Sequence, residues 1–153
     1  MAHKYSEGTW FAVPLRNGGF ATGIVTRKSK KGGVVVAYYF RPLRDTPSTM
    51  EEVAPLSVAD ALIALRSGDV SIKKGLWPII GHTTSFSREE WPTPLFMRKQ
   101  EIGDKAYAMA YDDEDVSVLL REELVAYDAN LSPGGLHGDG AVELILTSAL
   151  KAN

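Results

Sequence analysis

Apolar residues first gather at Trp10, Phe11 and Val13, which predicts a strand over Thr9 to Leu15. Asn17-Gly18-Gly19 follows, a tight-hairpin signal because these residues tolerate positive φ. Phe20 to Thr26 is the returning strand, with Phe20, Thr22, Ile24 and Thr26 on one face. Gly23 inside it predicts a bulge or the close approach of another backbone. Arg27-Lys28-Ser29-Lys30-Lys31-Gly32-Gly33 is a polar turn. Val34 to Phe40 is β-branched and aromatic throughout, apolar on both faces, and so a central strand covered on both sides. Three such strands in succession predict an antiparallel meander, the start of a small twisted sheet or a partial barrel.

Pro42 and Pro47 are expected to end this unit. Ser57-Val58-Ala59-Asp60 has the spacing of a helix start, and a helix would run to about Arg66 with Ala61, Leu62 and Leu65 inward and Gly68 as its stop. Trp77 to His82 is a short strand entered through Pro78. Ser87 to Glu90 fits one helical turn, and Pro92 and Pro94 impose an extended path into Leu95-Phe96-Met97. Ala106 to Tyr111 predicts a strand, Asp112-Asp113-Glu114-Asp115 a turn or rim, and Val116 to Leu120 fits strand or helix equally. Ser132-Pro133-Gly134-Gly135 is a loop. Val142, Ile145, Leu146 and Ala149/Leu150 recur at helical spacing and predict a C-terminal helix over 140–152. The chain therefore reads as one α+β domain over residues 1–153, β-rich at its N-terminal end, with a few helices packed on the sheet. Residues 1–7 are expected to be flexible, and 99–153 form an acidic C-terminal region.

Composition narrows the chemistry. The 153 residues include no cysteine, which removes thiol catalysis, thiolate metal sites and disulfides. The first residues lack the apolar core of a secretion signal, and apolar runs such as Val34 to Phe40 are too short to span a bilayer, so a cytoplasmic protein with no membrane partner is expected. The net charge of −2 conceals a gradient. Residues 1–50 carry eight lysines and arginines against Glu7 and Asp45, whereas residues 112–153 carry Arg121 and Lys151 against nine carboxylates. Either the two ends face each other and neutralise, or the acidic end is a surface for a basic partner.

The three histidines, His3, His82 and His137, stand far apart, and no metal or other cofactor is implied. The acidic run 112–115 lacks the alternation, central glycine and terminal glutamate of a calcium loop. There is no nucleophile elbow and no phosphate-binding loop, and the glycine-rich stretch Gly134 to Gly140 has no lysine. Arg27, Lys28, Lys30 and Lys31 beside Tyr38, Tyr39 and Phe40 could serve single-stranded nucleic acid, but the acidic pI of about 5.9 opposes it. Trp77 and Trp91 each precede a proline, which presents a large ring on extended backbone; each is a core residue or an interface anchor.

Several spaced segments resemble the immunity protein 26 family of bacterial polymorphic-toxin systems. They are Gly8-Thr9-Trp10-Phe11-Ala12-Val13-Pro14-Leu15, Gly18 to Val25, Val36-Ala37-Tyr38-Tyr39-Phe40, Gly68-Asp69 with Gly75-Leu76-Trp77-Pro78-Ile79-Ile80-Gly81, and Trp91-Pro92-Thr93-Pro94-Leu95-Phe96, over about residues 8–98. The resemblance implies a protein that binds a cognate protein toxin and blocks it by occlusion. Many such toxins are basic nucleases, which Asp112, Asp113, Glu114, Asp115, Glu122 and Glu123 would suit, with Trp77 and Trp91 as further interface candidates. The same family label is attached to a phosphotriesterase, which implies organophosphate triester hydrolysis as an alternative, with His82 and the 112–115 carboxylates as the groups to inspect. A third alternative is a small barrel-like module that binds peptide or nucleic acid through Trp10, Phe20, Tyr38 and the basic turn.

Overall fold

The computed structural model describes residues 2–151 and contains the expected meander. Strands β1 (Thr9–Pro14), β2 (Phe20–Lys28) and β3 (Val34–Arg44) pair antiparallel in sequence order. The β1–β2 turn holds Gly18 and Gly19 at φ 93° and 85°, where a side chain would strain the backbone. Gly23 marks a close approach, made by rings rather than by a backbone: a Cβ there would lie 2.8 Å from Phe11 Cζ and from Tyr39 Cε1. Strand β3 does not stop at Pro42 as expected. The register steps from Phe40 opposite Thr22 to Arg44 opposite Phe20, so Pro42 falls in an irregular stretch where a missing N–H is tolerated.

The largest correction concerns residues 57–68. Ser57 and Asp60 do form a capping box, but it closes only a 3-10 turn, Val58–Asp60. Ala61–Gly68 is then strand β4, antiparallel to β3, rather than a helix. A strand buried on both faces carries apolar residues at consecutive positions, and over so short a run that pattern also fits a helix. Two short helices escaped the sequence reading, α1 (Met50–Val53) with a Thr49/Glu52 capping box and α2 (Val70–Lys73). At four residues each they are too short to show a period.

Strand β5 (Ile79–His82) pairs with the outer edge of β1. A second sheet follows, made of β6 (Phe96–Lys99), β7 (Ala106–Asp112), β8 (Asp115–Val125) and β9 (Ser132–Pro133), in the order β8-β7-β6-β9. Pairing with β7 settles the ambiguous 116–120 stretch as strand. Strand β10 (Leu136–His137) returns to the first sheet, whose order is β10-β4-β3-β2-β1-β5, and the C-terminal helix α3 is Asp139–Lys151. Both sheets are open, with no barrel closure.

Strand β3 explains the layering. Val35, Ala37 and Tyr39 face a core with Leu65, Trp77 and the α3 residues Val142, Leu146 and Leu150. Val36, Tyr38 and Phe40 face the opposite core, with Trp10, Trp91, Phe96, Met109 and Val116. Helix, six-stranded sheet and four-stranded sheet thus stack as three layers. Residues ahead of β1 bond to the body of the fold: His3 N–H donates to Lys73 O at 2.8 Å, and Tyr5 Oη donates to Asp69. Asp69 also accepts from Gly33 N at 3.2 Å and pairs with Lys73 at 3.2 Å. Burial alone would raise the Asp69 pKa, but these donors together hold it below the usual carboxylate range.

Candidate binding surface

The basic and acidic ends of the chain meet at the β7–β8 hairpin. Its tip is the acidic run, with Asp112 opposite Asp115. Arg27, at the end of β2, is almost wholly buried and reaches Asp113 through Nε at 3.3 Å. Its Nη1 donates to Thr26 O at 2.7 Å and to Trp91 O at 2.9 Å. One guanidinium therefore joins the first sheet, the Trp-Pro segment and the hairpin. Asp113 also accepts from the Thr93 hydroxyl, and this bond, with Arg27 beside it, keeps its carboxyl below the ordinary range. Glu114 pairs with Arg88, which also holds Glu7 at 2.8 Å. Asp112 accepts from Glu114 N, and Asp115 accepts from Ser117 N and Oγ. Among the described residues, Asp113 and Glu114 are in ion pairs, whereas Asp112 and Asp115 are in none. Neutralisation between the chain ends accounts for Asp113 alone; Arg88, from the middle of the chain, neutralises Glu114, and Asp112 and Asp115 are in no ion pair.

Between this hairpin and Pro92-Thr93-Pro94-Leu95 lies a cleft of about 500 Å³, floored by Ala110 and Tyr111 and flanked by Leu120 and Arg121. The proline segment forms a fixed wall. Tyr38 Oη donates to Pro92 O, and burial pushes the Tyr38 pKa up to about 12, so the phenol keeps its proton. Trp91 beneath it lies edge-on to Trp10 at 6.1 Å and to Phe40 at 6.0 Å.

The other candidate residues are dispersed. Trp91 is 8% exposed and Trp77 1%; Trp77 stacks on Phe11 at 5.9 Å and donates Nε1 to Glu143 at 3.1 Å. Both indoles are packed inside, Trp77 wholly and Trp91 with a small part of its surface on the depression that also holds His82. Glu122 and Glu123 sit toward the C-terminal end of β8, away from the tip; Glu122 pairs with Arg98 at 3.2 Å, and Glu123 lies 3.9 Å from Arg121. His82 bonds Thr9 Oγ1 at 2.8 Å and lines a separate depression with Met50 and Phe86, so it does not join the 112–115 carboxylates. Trp10 and Tyr38 are buried, which removes the aromatic platform that Trp10, Phe20 and Tyr38 would need to bind a strand or peptide.

What sequence reading missed is the extent of β8 to Val125 and its exposure. Ser117 to Leu124 are exposed without interruption, although the stretch includes Val118, Leu119, Leu120 and Leu124. An apolar run that pairs along one edge only has no distinct signature in sequence.

The sequence model for immunity protein 26 matches residues 6–108, about two thirds of the chain. The chain belongs to the immunity protein 26 family. Membership gives it an immunity-protein role and, with that role, a protein to bind. The family segment spans β1 to β6 and the first residues of β7, and includes Trp77, Trp91 and the proline wall; the acidic tip and β8 lie beyond it. No curated protein and no solved structure matches the chain. Among the described residues, no helix is long and apolar enough to cross a membrane, and no three His, Asp or Glu side chains gather as a metal site.

Proposed function

We propose that this immunity protein binds a cognate protein toxin domain and blocks it by occlusion, using the β7–β8 tip and the cleft beside it. The family match over residues 6–108 carries the reading. Local chemistry supports the placement. Arg27 and Arg88 each bond a side chain of the tip, so part of the conformational entropy of docking is lost before the partner arrives. Asp112 and Asp115 are half-exposed carboxylates in no ion pair, Asp115 with Lys30 beside it, and the cleft adds the apolar Pro92, Pro94 and Leu95. That combination suits a basic toxin surface with an apolar side chain to insert.

A pull-down from the native organism with the tagged chain as bait, read by mass spectrometry, tests the partner. A single stoichiometric protein with a toxin-like C-terminal domain is the expected result, and no partner above background would end the reading. Titration of that toxin domain with the Asp112→Lys/Asp115→Lys double variant tests the surface. The expected loss is about tenfold or more, mainly in association rate and largest at low salt. Unchanged affinity would remove the tip from the interface.

A further inference from the structure

Strand β8 is the terminal strand of the second sheet, so its outer row of backbone N–H and C=O groups has no strand beside it. From Arg121 to Val125 it runs in unbroken register against Ala110 to Ala106, which keeps that edge straight. The side chains along it are exposed: Leu120 58%, Leu124 64%, and the Arg121 and Glu123 side chains 63% and 62%. A straight, apolar-flanked edge of this kind is a template for another strand.

The order of residues identifies the strand that fits. Around Glu122 the sequence Leu119-Leu120-Arg121-Glu122-Glu123-Leu124-Val125 is complementary to its own reverse. When two copies pair antiparallel about a two-fold axis at Glu122, Arg121 of each stands opposite Glu123 of the other. Regular pairing ends at Arg121, because β8 bulges at Leu120 between Ala110 opposite Arg121 and Tyr111 opposite Leu119; beyond the charged pairs, Leu120 and Leu124 of the two copies lie side by side as exposed apolar contacts. The residue on the axis, Glu122, faces its own equivalent, which would repel if both were bare, but each is already paired with its own Arg98 through Nη2 at 3.2 Å and Nε at 3.4 Å. Within one chain Arg121 and Glu123 approach only to 3.9 Å, leaving both open to a partner across the edge. A two-fold interface requires a surface complementary to itself, and this edge meets the condition in charge at one register, with exposed leucines on either side of it.

We infer that β8 is a self-association edge, and that the chain forms a two-fold dimer by antiparallel β8–β8 pairing centred on Glu122. The second sheets of the two copies become one eight-stranded sheet, and the exposed leucines of each edge cover those of the other. This inference does not depend on the toxin reading.

The test needs only the chain itself. Sedimentation equilibrium and light scattering in the micromolar range should give twice the 16.7 kDa chain mass. Arg121→Glu and Glu123→Arg should each weaken association by about tenfold or more, since two attractive cross-strand pairs turn repulsive together. Mixing the two variants should restore a dimer, because each then supplies the charge the other lacks, and the double variant R121E/E123R should dimerise alone. Circular dichroism confirms that each variant is folded, as expected for exposed positions. A monomeric wild type across this range overturns the inference. So does a dimer whose stability ignores both reversals, because its interface then lies elsewhere.

Discussion

Replacing Arg27 with methionine separates two accounts of how this buried guanidinium stabilises the fold. Methionine keeps the aliphatic bulk and removes the guanidinium. The Arg27 side chain is 2% exposed, whereas its partner Asp113 is 56% exposed. An ion pair with one member that open contributes about 0–1 kcal/mol, because water screens it and rehydrates the released carboxylate. The bonds to Thr26 O at 2.7 Å and Trp91 O at 2.9 Å are short, buried and charge-assisted. Hydrogen bonds to charged groups contribute about 1.5–3 kcal/mol each, and relief of the buried charge offsets part of their loss. The expected cost of R27M is therefore about 2–4 kcal/mol, against less than about 1 kcal/mol for D113N. Urea unfolding followed by tryptophan fluorescence measures both, since Trp91 lies directly on the lost bond. Equal losses, or a larger loss for D113N, would show that the ion pair and not the capture of the Thr26 and Trp91 carbonyls is what Arg27 contributes to stability, and the reasoning would fail. A loss of this size is a large share of the stability of a typical domain of about 5–15 kcal/mol.

Two further substitutions probe the same framework. Gly23→Ala places a methyl 2.8 Å from the rings of Phe11 and Tyr39, and the overpacking should cost about 1–3 kcal/mol in urea unfolding; a neutral result would mean that the rings can withdraw. Asp69→Asn should destabilise at neutral pH by about 1.5–3 kcal/mol through loss of charge-assisted bonds from Tyr5, Gly33 and Lys73. Because the folded-state pKa of Asp69 is depressed, its contribution is complete above the unfolded value of about 3.9 and disappears as pH falls through the lower folded value. The gap between wild type and D69N should therefore close only in strong acid; a gap that closes near neutrality would contradict the depressed pKa.

Local pattern alone specified the meander, the hairpin at Asn17-Gly18-Gly19 and the central place of β3, because turn chemistry and two-sided apolarity act within a few residues. It also placed the C-terminal helix and the acidic turn, and it supplied the segments that resemble immunity protein 26. Residues 61–68 were not legible in this way. Whether Ala61-Leu62-Ile63-Ala64-Leu65 forms helix or strand depends on the open edge of β3, which supplies the hydrogen bonds and lies far away in sequence. The same holds for the surface. Sequence revealed a charge gradient, but only folding brought Arg27 from β2 to Asp113 and Arg88 to Glu114, and so determined which carboxylates of the run are in ion pairs. It also left one edge of β8 without a neighbour, turning an ordinary mixed-polarity stretch into an exposed strand. Residue type and near spacing set the elements; long-range pairing, which must overcome the entropy of closing large loops, set their partners and hence the surface available for binding.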